Sequence, residues 1–363
     1  MPQAVLDAID AHHQLEARIG GYEAKNAQQG ELEQVYDSIS TLIGAHRDEI
    51  ALVEHATAAW SHAFYALDLA KGDRILTCEA EYGANFVAYL HRAKRDGIVI
   101  DVIPSDEMGA IDLVALTDMI DDRVKLISIT WIPTNGGLVN PAAAVGAIAH
   151  EHGITYLIDA CQAIGQVPID VGELQCDFLS ATGRKFLRGP RGTGFLYASQ
   201  RLLDAGLEPA MIDHYGADWV AEDRYELRAD ARRFETWENS YALRAGLGAA
   251  VDYALSVGLD AIQQRAWRLG ASLRDQIAAL PGATVFDLGH EKCAIVTFTL
   301  DGHDPYDVVA TLAAESINIG ASGPASTRLD ATRRGLPTMN RAAPHYFNTQ
   351  DEVDQLVAAL QRL

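Results

Sequence analysis

The sequence predicts an α/β protein with a mainly parallel sheet wrapped by helices. Short apolar runs of strand length alternate with segments of helical period, and glycine or proline punctuates most joints. Size agrees: 363 residues with 48% hydrophobic content can bury a large core, and the length exceeds the roughly 100–200 residues of one ordinary domain.

At the front, "MPQAVLDAIDAHHQLEARIGGYE" has an acidic amphipathic helix pattern rather than that of a signal peptide. Trp60, Ala63, Phe64 and Leu67 follow at helical spacing behind Thr57, read as the N-cap. "RILTC" is then a strand, "ANFVAYLHRAKRDG" a helix ending on glycine, "IVIDVIP" a strand, "DLVALTDMI" helical and "VKLISITWI" a strand. "PAAAVGAIAHEHG" is a helix with Pro141 at its start and Gly153 at its end, and "TYLIDA", "FLSAT" and "GFLYAS" are three further strands. In such sheets ligands bind beyond the carboxyl ends of the strands.

From about Gly258 a long helix, "LDAIQQRAWRLGASLRDQIAAL", leads into a smaller α/β unit. Its strands are "CAIVTFTL", "INIGAS" and "MNRAAPHYF", and its helices run over 305–315 and 350–362. The expected organisation is a helical arm over 1–20, a large domain over 21–256 and a small C-terminal domain over 257–363. The segment "DHYGADWVAEDRY" has no readable period; its His214, like His345, is a candidate substrate contact, with a solvated or structural role the expected one.

The net charge of −21 repels phosphate backbones and anionic lipid surfaces, which argues against nucleic-acid and membrane partners. Any anionic ligand then needs a local cationic pocket. Cys78, Cys161, Cys176 and Cys293 are scattered without a C-x-x-C pair and read as reduced structural thiols, with no metal site expected. No run approaches the ~18 apolar residues of a membrane span, and a cytoplasmic protein is expected.

The chemistry centres on "SATGRKFLRGPRGTGFLYAS". Lys185 follows a strand and precedes Gly189, Gly192 and Gly194, which let backbone approach a ligand closely. Lys25, Lys71, Lys94, Lys125 and Lys292 lie mostly in charged or turn contexts, where an amine stays solvated. Asp159 ends an apolar strand, and a buried carboxylate demands a cation or donor, such as a protonated pyridine nitrogen. The helix opening at Thr57 and Ala58 offers free N–H groups to a phosphate, Thr182 and Arg184 a hydroxyl and a charge, and Tyr82 a flat ring. Taken singly, Asp159 also reads as a strand-end cap, Tyr82 as a loop aromatic, Arg341 as a solvated strand residue, and Gly136, Gly137, Gly192 and Gly194 as plain turns. Together they are the parts of a pyridoxal phosphate site.

The order "HAT", "EAEYGAN", "TNGGLVNP", "LIDACQAIGQVPIDV", "SATGRK…GPRGTGFLY" and "NRAAPHYFNTQDEVDQLV" resembles the fold-type I, class V aminotransferase superfamily over nearly the whole chain. That group includes cysteine desulfurases, selenocysteine lyases, isopenicillin N epimerase-like proteins and ergothioneine-pathway carbon–sulfur lyases; the last two are the branches it resembles most. The resemblance implies a mainly parallel seven-stranded sheet in the large domain and a homodimer with active sites at the subunit interface. It implies Lys185 as the imine-forming lysine, Asp159 as the pyridinium partner and Tyr82 on the ring, these three being the catalytic set. Gln162 would lie near the phenolic oxygen and Thr134 or Asn135 beside the ring. Thr57, Ala58, Thr182 and Arg184 would hold the phosphate, and Arg341 the carboxylate of a small amino acid substrate.

Departures from the pattern shape the expected reaction. The stretch "INIGASGPASTRLDATRRGLPTMNR" has no cysteine where desulfurases carry a mobile one, and Cys293 is a poor substitute. Trp237 and Glu238 stand where many members have a glycine–threonine pair that reaches the neighbour's phosphate. Relatives also begin with an extra strand and turn lining the pocket, so either a trimmed front or a more open pocket is expected. The expected reaction is β-elimination from a cysteine S-conjugate or sulfoxide, giving pyruvate, ammonia and a thiol or sulfenic acid. A class V aminotransferase or amino acid epimerase is the alternative. A scaffold without turnover would not need Lys185, Asp159 and Arg341, and no G-x-G-x-x-G follows the first strand for a nicotinamide cofactor.

Overall fold

The computed structural model describes residues 1–363. Its central sheet has seven strands: β1 (Ile50–Val53), β2 (Arg74–Cys78), β3 (Val99–Ile103), β4 (Val124–Thr130), β5 (Thr155–Asp159), β6 (Phe178–Thr182) and β7 (Gly194–Ala198). Their order is β1-β7-β6-β5-β4-β2-β3. The run from β6 to β3 is parallel, and β7 pairs antiparallel with both β6 and β1.

Strand side chains alternate between two apolar layers, as a sheet covered on both faces requires. Ile75, Leu126, Leu157, Phe178 and Leu196 join Trp60, Phe64 and Tyr89 on one face. Their neighbours Leu76, Ile127, Ile158, Leu179 and Phe195 join Val35, Ile39, Val145 and Leu247 on the other.

The helices are α1 (Gln3–Ile19), α2 (Gly21–Ala27), α3 (Gln29–Ile43), α4 (Ala56–Ala66), α5 (Gly83–Asp96), α6 (Leu113–Asp118), α7 (Ala142–Glu151), α8 (Val171–Leu174), α9 (Gln200–Asp204), α10 (Tyr241–Val257) and α11 (Leu259–Ala278). Thus α4 and α5 cover the first face, and α3, α7 and α10 the second. No single helix is long and apolar enough to cross a membrane.

A hairpin, β8 (Ala217–Ala221) and β9 (Arg224–Leu227), falls in the segment without readable period, because nearly all its side chains face solvent and no alternation is imposed. A second, wholly antiparallel sheet has the order β10-β11-β13-β12, from β10 (Ala283–Val285), β11 (Val296–Leu300), β12 (Gly320–Ser322) and β13 (Met339–Ala342). The remaining helices are α12 (Pro305–Ala314), α13 (Arg328–Arg334) and α14 (Gln350–Leu360). Leu269, Leu273 and Ile277 of α11 pack with Val353, Leu356 and Val357 of α14 over this sheet.

Several local expectations change, among them "INIGAS", which is strand only over Gly320–Ser322. Strand β1 was not read from the pattern; four residues are too few to display a period. "MNRAAPHYF" is a strand only to Ala342, and Pro344, lacking an N–H, lies just beyond. Thr57 is not the cap of α4: His55 is extended there (φ −173°, ψ 164°) and its ring accepts the Ala58 N–H. Thr57 lies exposed inside the first turn.

Candidate active site

The loops after β2, β4, β5 and β6 converge beyond the carboxyl ends of their strands. A cavity of about 370 Å³ opens there, lined by Tyr82, Thr134, Gln162, Arg184, Lys185, Phe186, Arg341, Ala343 and His345. Three of these are lysine or arginine and none is acidic, so a chain of net charge −21 has built the local cationic pocket that an anionic ligand requires. Six of the residues singled out from sequence meet here: Tyr82, Thr134, Gln162, Arg184, Lys185 and Arg341.

Lys185 lies three residues past β6. The chain turns back at Gly183, whose N–H donates to the Thr193 carbonyl (3.0 Å) and whose own carbonyl accepts from Gly189 (2.7 Å). This closure leaves Arg184 exposed and Lys185 half-buried in the cavity wall.

Asp159 is buried at the end of β5. Its Oδ1 accepts the Cys161 N–H (2.9 Å) and its Oδ2 an amide proton from Asn85 (3.0 Å). No cation pairs with it, although Cys161 beside it feels Asp159, Lys185 and Arg184 together. Behind Asn85 lies a second buried carboxylate, Glu81, which sequence reasoning missed: a charged residue beside an exposed Tyr82 reads as surface. Its one legible signal is the four-residue spacing to Asn85, which brings Glu81 Oε1 within 3.0 Å of the Asn85 amide nitrogen.

Arg341 sits on β13, between β11 and β12. Its Nε donates to the Thr134 carbonyl (2.7 Å), and burial pulls the guanidinium below its ordinary pKa. The Thr134 hydroxyl accepts from Gln162 (3.4 Å). Asn135, expected as an alternative to Thr134, does not line the cavity; its amide donates to Thr327 (3.2 Å). Thr327 belongs to the cysteine-free segment, which is folded against the site. The Asp330 N–H donates to the Glu79 carbonyl (3.1 Å) and Arg333 pairs with the Glu79 carboxylate.

His345 is a wall residue rather than a solvated one. Its Nε2–H donates to the Phe186 carbonyl (2.8 Å), its Nδ1 accepts from the Tyr346 N–H, and its ring stacks on Phe186 at 5.1 Å. Burial drops its pKa to about 4, so it is neutral at physiological pH. Phe186 and His345 lie 159 residues apart, a convergence no local pattern announces.

Beyond the cavity, Thr182 pairs with Gly194 across β6 and β7, and its hydroxyl donates to the Thr193 carbonyl (3.4 Å). A Cβ at Gly194 would come 2.6 Å from the Ala181 carbonyl oxygen, 2.8 Å from His55 C and 3.0 Å from Ala56 N, so only glycine lets the start of α4 approach this strand pair. Ala58 does not offer a free N–H there, being bonded to the His55 ring (3.0 Å). Trp237 and Glu238 do not line the cavity; the Trp237 N–H donates to Asp213 (2.8 Å) and its ring stacks on His214.

Comparison with known proteins agrees with this geometry. The aminotransferase class-V family model matches residues 1–356. A probable cysteine desulfurase of Methanothermobacter thermautotrophicus is 30% identical over 337 residues, 92% of this chain and 83% of its own. In fold, the apo cysteine desulfurase of Thermococcus onnurineus NA1 superposes with a TM-score of 0.91 at 24% identity, covering 100% of this chain and 91% of that one. A cystine C-S lyase solved with its product cysteine persulfide gives 0.89 at 22% identity, covering 99% and 94%. The same lyase has also been solved with glycine covalently linked to its pyridoxal phosphate.

The residues present fit that cofactor. A buried carboxylate without a cationic partner suits a protonated ring nitrogen, a half-buried lysine suits an imine, and the glycine-lined approach of α4 to Thr182 suits a phosphate. The chain therefore belongs to the class V aminotransferase family and is a pyridoxal-phosphate-dependent enzyme of the fold that the cysteine desulfurases share.

Proposed function

We propose that this enzyme is a carbon–sulfur β-lyase acting on a small amino acid, an S-substituted cysteine or cysteine sulfoxide. The observation that carries the reading is the lack of a usable thiol at the cavity. Segment 317–341 has no cysteine. Burial pushes the thiols of Cys78, Cys161, Cys176 and Cys293 well above the ordinary range, and none lines the cavity. A sulfur relay needs a thiolate nucleophile. Without one, the sulfur departs with its substituent.

Pyridoxal phosphate, when bound, supplies the sink for the electrons left at the α-carbon. Lys185 would hold the cofactor, and its Nζ would take the α-proton and return a proton to the departing sulfur. Asp159 keeps the ring nitrogen protonated. Arg341 donates to the substrate carboxylate, aimed by its Nε–H bond to Thr134. Tyr82 would cover the ring, Gln162 would lie near the phenolic oxygen and Thr134 beside the ring, and Thr57, Thr182 and Arg184 would hold the phosphate with the N–H groups of Ala56 and Thr57 at the start of α4. In the net reaction the carbon–sulfur bond breaks, the thiol leaves protonated, and water hydrolyses the released enamine to pyruvate and ammonium. A sulfoxide gives a sulfenic acid instead.

The test is product analysis. Cofactor-loaded enzyme is incubated with S-substituted L-cysteines and their sulfoxides, and pyruvate and ammonium are measured without added keto acid. Equal release of both is expected, together with borohydride trapping of the cofactor on Lys185. Turnover only when a keto acid is supplied makes the enzyme an aminotransferase, and inversion at the α-carbon without product release makes it an epimerase; either result overturns the lyase reading.

A further inference from the structure

We propose that Glu81 is a positioning residue for the reaction: through the amide of Asn85, which it shares with Asp159, it sets the negative charge presented to the ring nitrogen of the cofactor. The proposal rests on the reading of Asp159 as the partner of that nitrogen. It concerns a residue outside the cavity, with no contact to substrate.

Glu81 is 2% exposed, and five donors converge on its carboxylate. On Oε1 are the Tyr82 N–H (2.7 Å), the Asn85 amide (3.0 Å) and the Thr130 hydroxyl. Around Oε2 are the Thr77 hydroxyl (2.8 Å) and, more distantly, the Tyr89 hydroxyl (3.3 Å), which also lies 2.7 Å from Ser128. The donors come from β2, β4 and α5 and the turn between β2 and α5, so the group is held from all sides.

No cation is among its partners. The ionisable groups that face it are Asp159 from β5, Tyr89 from α5 and Cys78 from β2, all of which are neutral or negative. A buried carboxylate without a counter-charge is expensive, and a neutral side chain would satisfy most of the same donors. Burial first, and then the charge of Asp159, lifts its carboxyl to about 7. The two hydrogens of one Asn85 nitrogen reach Glu81 Oε1 and Asp159 Oδ2, each at 3.0 Å. The compensating positive charge is therefore supplied from outside the protein: a protonated ring nitrogen against Asp159. When that nitrogen is protonated, its charge favours ionised Glu81; in the cofactor-free protein, with its carboxyl lifted to about 7, Glu81 holds a proton below that pH.

The experiment follows, as a function of pH, the 15N chemical shift of the ring nitrogen in 15N-labelled, lysine-bound cofactor in wild type, Glu81→Gln, Asn85→Ser and Asp159→Asn. Glu81→Gln is expected to lower the midpoint by on the order of one pH unit, because a negative charge that favours the protonated ring is gone. Asn85→Ser, which keeps both carboxylates but breaks the bridge, is expected to move it as well. Infrared difference spectra of the wild-type protein without and with pyridoxal phosphate give a second readout. A protonated-carboxyl band that disappears on loading, and is absent from Glu81→Gln, is expected. If Asp159→Asn moves the midpoint while Glu81→Gln does not, the proposal falls and the Asp159 reading stands. If Asp159→Asn leaves the ring-nitrogen titration unchanged, both fall.

Discussion

Replacing Arg341 isolates recognition of the substrate carboxylate from the chemistry. One guanidinium donor, Nε–H, is committed to the Thr134 carbonyl at 2.7 Å. The two terminal nitrogens remain for a ligand in a cavity that offers no acidic residue. A planar fork with two free ends is suited to bidentate binding of a carboxylate. Truncating one partner of a buried, hydrogen-bonded charge pair costs about 2–5 kcal/mol, and because Arg341 is only half-buried the lower part of that range applies. A loss of about 2–3 kcal/mol corresponds to about 30- to 150-fold in kcat/KM. The assay is pyruvate release from an S-substituted L-cysteine by Arg341→Met, with the matching S-substituted cysteamine, which lacks the carboxylate, as a competitive inhibitor. The amino acid is expected to lose this factor while the inhibition constant of the amine holds. Equal losses for both would mean that Arg341 shapes the cavity rather than grips a carboxylate, and the reasoning would be wrong.

Two further outcomes follow from packing and protonation. Gly194→Ala drives a Cβ into three backbone atoms of Ala181, His55 and Ala56, which cannot rotate aside; thermal unfolding should show a loss of about 1–3 kcal/mol, and equilibrium dialysis a weaker hold on pyridoxal phosphate. Glu235 is buried beneath Tyr36 and the Leu52 N–H, and desolvation lifts its carboxyl from 4.5 to about 7. The folded chain thus keeps a proton that the unfolded chain has lost between those values, so this contribution to stability is full below the lower value and is lost as pH rises through the upper. Glu235→Gln should flatten that decline, worth about 3 kcal/mol, in denaturant titrations across the window; an unchanged slope would mean that Glu235 is ionised in the native state.

What the sequence revealed, and what it withheld, divides along physical lines. Lys185 and Asp159 were legible because each follows an apolar strand, where a charge is anomalous and calls for a partner. The alternation of elements gave six strands of the main sheet, since strands buried on both faces read as apolar runs. The cap of α4 was not legible: His55 satisfies the Ala58 N–H through a ring nitrogen, a role that a threonine two residues later appeared to fill more naturally. The hairpin β8–β9 has an exposed face and hence no pattern to read. Glu81 was hidden for the opposite reason: a polar residue in a polar-looking turn is indistinguishable from a surface carboxylate until the donors from β2, β4 and α5 close around it.

The site is polarised by topology rather than by composition. Its carboxylates, Asp159 and Glu81, come from the main sheet, at the end of the central strand β5 and just beyond β2. Its cations come from elsewhere: Arg184 and Lys185 from the loop between β6 and β7, Arg341 from a strand of the second sheet. The carboxylates are immobilised by donors from β2, β4, α5 and the loops after β2 and β5, whereas Arg341 touches the main sheet's loops through its one bond to the Thr134 carbonyl. The electronics of the cofactor ring and the grip on the substrate are therefore set on different sheets. Substitutions around β2, β5 and α5 act on reactivity and appear in kcat and in the absorption of the bound cofactor. Substitutions on β11 to β13 act on the carboxylate's anchor and appear in KM. A variant of the second sheet that shifted the cofactor's titration while leaving KM intact would contradict this division, because the hydrogen-bond partners of Asp159 are Asn85 and Cys161, neither of them on that sheet.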